Sequence, residues 1–124
     1  MVQSINTEVE LLQKGTSFAG MTDYGQIMIG DKGFEFFNER NVEKFIQIPW
    51  GEVDYVIVSV ILKGKWIPRF AIKTRQNGTY SFAAKDSKAV LRTMRGHLGA
   101  DRIVKSLSFF EVLKRSIKGI FKKK

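Results

Sequence analysis

The sequence predicts a mainly β domain closed by one helix, followed by a second, basic amphipathic helix. Three observations predict this. Turn-forming clusters recur at short intervals through the first two-thirds of the chain, as in Thr22-Asp23-Tyr24-Gly25, Gly30-Asp31-Lys32-Gly33, Lys63-Gly64-Lys65 and Gln76-Asn77-Gly78. The runs between them are rich in aromatic and β-branched residues, the composition of strands. From Asp86 the apolar spacing changes from two to the three-and-four steps of a helix.

The expected strands are Val9–Ala19, Gln26–Ile29, Gly33–Phe37, Phe45–Ile48, Val53–Leu62, Ile67–Arg75 and Thr79–Ala84. The Asn77-Gly78 pair between "RFAIKTR" and "TYSFAA" is the strongest hairpin signal, because both residues tolerate positive φ. Around it Phe70 and Ile72 share one face, and Arg69, Lys73 and Arg75 the other. In "DSKAVLRTMRGHLG", Val90, Leu91, Met94 and Leu98 lie on one helical face, with Asp86 or Ser87 as N-cap and Gly99 as the stop. Core positions are expected at Phe34, Phe36, Ile46, Ile48, Phe70, Ile72, Tyr80, Phe82, Leu91 and Met94.

After Leu98 the reading is helical again. "DRIVKSL" is a short first part. "SFFEVLKRSIKGIF" opens on Ser108 with Glu111 three residues later, a capping-box spacing. The chain thus divides into a β domain over residues 1–100 and a basic C-terminal helix over 101–124. At 124 residues it can build one hydrophobic core but not two.

Composition narrows the chemistry. With no cysteine, disulfides, thiolate metal sites and cysteine nucleophiles are excluded. The start "MVQSINTEVELLQKG" lacks the basic-then-apolar pattern of a signal peptide. The longest oily stretch, "YVIVSVIL", is strand-length and too short to span a bilayer. A cytoplasmic location is the expectation. The net charge of +9 is concentrated at one end: residues 101–124 hold eight bases and two acids, a net +6. A bias that local describes a binding surface.

The pattern "GQIMIGDKGFEFF…FIQIPWGEVDYVIV…RFAIKTRQNGTYSFAAKD", spanning residues 9–98, resembles the pleckstrin-homology superfold and its relative the GRAM domain. The resemblance implies a split barrel of about seven antiparallel strands with the helix plugging one open end. Along nearly its whole length the chain is also similar to the ManO-type family, through "KGTSF", "GQIMIGDKGFEFFN", "NVEKFIQIPWGEVDYVI", "KGKWIPRFAIKTRQNGTYSF" and "VKSLSFFEVLKR". That family, of unknown function, is encoded beside mannose-class sugar phosphotransferase (PTS) transporters in low-GC Gram-positive bacteria. The resemblance implies a regulatory role tied to such a transporter and supplies no catalytic residues.

Candidate sites follow from the residues. The single histidine, His97, invites reading as a phospho-acceptor in that context. Its place at the end of a helix, where imidazole interacts well with the dipole, is the simpler account, since no orienting carboxylate is near in sequence. Asp23, Asp31 and Glu35 read as turn formers and surface charges rather than metal ligands or an acid–base pair. "GDKG" fits neither phosphate-loop pattern. No catalytic residue, cofactor or metal is expected.

Two binding surfaces remain. One is a basic band of Lys63, Lys65, Arg69, Lys73 and Arg75 with Trp66 among them. The other is the C-terminal helix, with Phe109, Phe110, Leu113, Ile117, Ile120 and Phe121 on one side and Lys114, Arg115, Lys118 and Lys122 on the other, closing on Lys123 and Lys124. An aromatic-bearing amphipathic helix with clustered bases has the composition of an interfacial membrane helix, though one packed on its own domain shows the same pattern. The expectation is a non-enzymatic module at the inner face of the cell membrane that contacts components of the mannose-class PTS transporter. The alternative is a nucleic-acid-binding regulator of the operon. A pI near 9.9 permits it, but no sequence-reading motif supports it.

Overall fold

In a computed structural model, which describes residues 3–18, 22–41, 43–61 and 66–105, eight strands form one mixed sheet with a single α-helix. The strands are β1 (Val9–Ser17), β2 (Asp23–Gly30), β3 (Gly33–Asn38), β4 (Phe45–Pro49), β5 (Val53–Ile61), β6 (Trp66–Thr74), β7 (Thr79–Ala84) and β8 (Ile103–Lys105). The helix α1 (Ser87–Leu98) follows β7. Strand order in the sheet is β4-β3-β2-β1-β7-β6-β5-β8.

Two antiparallel meanders make up this order. Strands β1 to β4 pair consecutively, and so do β5 to β7. The meanders join where Gly15, Thr16 and Ser17 of β1 pair with Ala84, Ala83 and Phe82 of β7. Seven strands and the helix lie where the alternation and spacing place them, with ends shifted by a few residues; β2 begins earlier, at Asp23. Gly78 closes the β6–β7 hairpin at φ +82, a conformation open to glycine. Thr74 supports that turn: its hydroxyl donates to the Gly78 carbonyl (2.6 Å) and accepts from Asn77 N–H (2.9 Å). Helix α1 is N-capped by Asp86, whose carboxylate accepts from Ala89 N–H at 3.1 Å.

One expectation fails. Residues 103–105 are a strand, not part of a helix. Ile103 and Val104 are β-branched, and β5 offers a free edge; β8 pairs with it in parallel, Val56 opposite Ile103 and Val58 opposite Lys105. A short 3-10 turn, Ala100–Arg102, leads into it. The sheet therefore continues to Lys105.

The core gathers the inward residues of both meanders. Phe34, Phe36, Phe70 and Phe82 are its aromatic centre, with ring centroids 4.8 Å apart for Phe34–Phe82 and 5.8 Å for Phe70–Phe82. Helix α1 inserts Val90, Leu91 and Met94 among them. Ile46 and Tyr80, expected in the core, are half-buried at its edge.

Candidate functional site

Strand pleating sorts the second meander into two faces. Val56, Val58, Phe70, Ile72 and Phe82 point inward. The register then turns Tyr55, Lys73 and Thr79 outward in one row, and Ser59 and Arg69 in another. Arg69 and Lys73 of the expected basic band are thus on the outer face of β6, with Arg75 just past its end, all exposed. Lys63 and Lys65 lie outside the described residues, as does the Trp66 side chain. The C-terminal set (Phe109, Phe110, Leu113, Lys114, Arg115, Ile117, Lys118, Ile120, Phe121, Lys122, Lys123 and Lys124) lies outside them too.

Each described base of the band has a protein partner. Lys73 Nζ donates to Asp54 Oδ2 at 2.9 Å, Arg75 Nε to the Gly51 carbonyl at 3.0 Å, and the Arg69 guanidinium sits 4.1 Å from the centre of the Phe18 ring. Arg102, which the sequence reading did not single out, joins the cluster by donating to the Val53 carbonyl at 2.9 Å. The hydrogen bond from Lys73 and the charges of Lys73, Arg75 and Arg102 hold the Asp54 carboxyl below its ordinary value. Asp54 reaches this position because the β5 register shifts between Val53 and Tyr55. Three bases around the Asp54 carboxylate make this outer face cationic; Lys105, exposed at the end of β8, is opposite inward-facing Val58 and so falls on the other face.

A different arrangement covers the first meander. Glu35, expected as a surface charge, is fully buried. The N-terminal residues cross over it and saturate its carboxylate. Ser4 Oγ donates at 2.6 Å, Ile5 N–H at 3.0 Å, Asn6 Nδ2 at 2.8 Å and, from β4, Gln47 Nε2 at 2.8 Å. Asn6 Oδ1 in turn accepts from Lys32 and Gly33 N–H, and Asp31 Oδ1 from Thr7 and Glu8 N–H. The bonds from Glu8 and Thr7 hold the Asp31 carboxyl below its usual range. This network is structural: its donors are spent on the chain itself.

His97 lies in the last turn of α1, as expected, but beside a carboxylate that the sequence did not announce. Its Nε2 lies 2.8 Å from Glu10 Oε1, an orienting carboxylate from β1, and its ring stacks on Trp50 at 4.7 Å. Trp50 Nε1 donates to the Gly30 carbonyl. The three residues tie the end of α1 to β1 and to the β4–β5 connection. An open groove of about 660 Å³ lies where β1 passes from β2 to β7, lined by Lys14, Thr16, Tyr24, Glu39 and Lys85 with small residues between. Among the described residues no three His, Asp or Glu side chains gather as metal ligands, and no helix is long and apolar enough to cross a membrane.

A small mainly β domain with, among the described residues, one α-helix and a cationic outer face is the class these features define. A crystal structure of the C-terminal domain of an unknown protein from Leishmania infantum is similar in fold, with a TM-score of 0.63 at 13% identity over 73% of this chain and 83% of that one. The chain belongs to the family described as a domain of unknown function, DUF956, whose pattern matches residues 1–117. No protein of curated function matches it.

Proposed function

We propose that this chain is a non-enzymatic, pleckstrin-like binding module that sits at the inner face of the cell membrane and regulates a mannose-class PTS transporter by contacting its components. Two meanders joined at one seam, with a helix after the seventh strand, support the pleckstrin-like reading. The observation that carries the binding role is the convergence of charge. Arg69, Lys73, Arg75 and Arg102 lie on the outer face of the β5–β6–β8 region, and the sequence after β8 holds six further bases beyond Phe110. Each base near an anionic leaflet contributes about 1 kcal/mol. Burial of Phe110 and Phe121 would add about 1.5–3 kcal/mol each.

Flotation with liposomes of anionic lipid tests this reading. The wild type should float, less so as salt rises. Phe110→Ser with Phe121→Ser should abolish flotation, and Gln at Lys122, Lys123 and Lys124 should weaken it. A protein that ignores liposomes but binds DNA tightly and salt-sensitively would instead be the nucleic-acid regulator.

A further inference from the structure

The seam between the meanders brings together two lysines that lie far apart in the chain. The register that pairs Gly15 with Ala84 sets Lys14 of β1 against Lys85, whose N–H donates to the Lys14 carbonyl at 3.1 Å. Gly15 and Ala84 take the inward positions, so Lys14 and Lys85 share the outer face with Thr16 and Ala83, and both lysines are exposed. Like charges opposite each other on neighbouring strands repel unless an anion lies between them. Among the described residues neither ammonium has an acidic partner. Asp86 accepts from Ala89 N–H, and Glu10 is taken by His97. The two lysines stand at one end of the open groove of about 660 Å³. Thr16 and Ala83 keep its floor low. The Tyr24 ring, 62% exposed, borders it from β2, where Tyr24 lies opposite Thr16. Glu39, whose N–H donates to the Tyr24 carbonyl, lines the far end, and its carboxylate is in none of the ion pairs among the described residues.

We propose that this groove binds a mononucleotide, with its phosphate on Lys14 and Lys85, its base against Tyr24, and a ribose hydroxyl or base amine donating to Glu39. Charge sets the direction: phosphate is drawn to the paired ammoniums and repelled by the carboxylate at the other end. Length agrees. Two interstrand steps of about 4.8 Å separate β7 from β2, so the cationic end and the ring lie roughly 10 Å apart. Volume agrees too, since small-molecule sites run from about 300 to 1,000 Å³. A purine or pyrimidine offers Tyr24 a flat face, and stacking there adds affinity that a bare anion does not obtain. The site uses none of the C-terminal bases, so it stands apart from the membrane reading.

The test is amide NMR of the full chain titrated with adenosine monophosphate. The signals of Thr16, Tyr24, Ala83 and Lys85 should move saturably at millimolar nucleotide or below. Lys14→Gln with Lys85→Gln removes two charge-assisted contacts and should weaken binding by at least about tenfold. Tyr24→Ala removes the stacking face and should weaken it by about fivefold or more. All three positions are exposed, so both variants should keep the wild-type midpoint in urea. Adenosine, inorganic phosphate and glycerol phosphate each carry part of the ligand and should each bind at least about tenfold more weakly than the nucleotide. A nucleotide that moves no signal, or that binds the lysine variant as well as the wild type, overturns the proposal. Inorganic phosphate that matches the nucleotide overturns it by showing a plain anion site, and glycerol phosphate that matches it does so by showing a lipid-headgroup site. Flotation does not enter this readout, so the groove and the membrane reading can fail separately.

Discussion

The outer faces of the two meanders differ in a way their alternation does not announce. The first exposes large apolar groups: Tyr24 is 62% accessible, Leu12 55% and Phe45 41%. Yet it buries a carboxylate, Glu35, beneath the N-terminal segment. The second carries the bases and exposes Tyr55, 44% accessible, but keeps Ile57 and Ala71 sheltered between them. Exposure therefore does not follow how oily each face is. On the first, hydrogen-bonding residues cross Glu35 and leave hydrocarbon beside it wet; on the second, Ile57 and Ala71 are buried while Tyr55 and the charges remain outside.

The largest test of this contrast is Glu35→Ala. It strands donors from Ser4, Asn6 and Gln47 under the N-terminal segment and should cost about 2–4 kcal/mol in urea melts. A loss below about 0.5 kcal/mol would mean that the segment detaches without consequence and the two faces are less different than they look. A matched pair comes next. Ala71→Lys forces an ammonium into a sheltered site and should cost about 1–3 kcal/mol. Leu12→Lys, at an exposed site on the other face, should stay within about 0.5 kcal/mol. Equal effects would erase the distinction.

The smallest effect is an acid one. Asp31 titrates below its ordinary value of 3.8 when folded, so its contribution is present above that pH and is lost as pH falls from there through the lowered folded value. Asp31→Asn keeps an oxygen to accept from Thr7 and Glu8 but cannot titrate. Its stability below pH 3.8 should fall less steeply than that of the wild type, measured by urea unfolding across the acid range.

What the sequence discloses here is what is local. The Phe70–Ile72 alternation, the Asn77-Gly78 turn and the Asp86 cap each act within a few residues, and each appears where the pattern puts it. The misses are non-local. Glu35 alternates like a solvent-facing residue, and its cover comes from Ser4 to Asn6, about thirty positions away. Strand β8 is three residues long, too short to show a period, and pairs with a strand far earlier in the chain. Of the basic band, Arg69, Lys73 and Arg75 were legible from alternation, while Arg102 joins only because β8 returns to the β5 edge. The Glu10–His97–Trp50 assembly has no sequence signal at all, since its members come from three separate parts of the chain.

The seam between the meanders has a kinetic consequence. Each meander is built from neighbouring strands, so its hairpins can form from short-range encounters. Strand β1, synthesised first, must wait for β7 before Gly15, Thr16 and Ser17 find Ala84, Ala83 and Phe82. Closing so long a loop for three residue pairs is unfavourable until hydrophobic contacts reward it. Those contacts are Phe34 and Phe36 from one side meeting Phe82 from the other. The rate-limiting event in folding is therefore expected to be the meeting of two preformed halves, timed by aromatic side chains rather than by strand pairing.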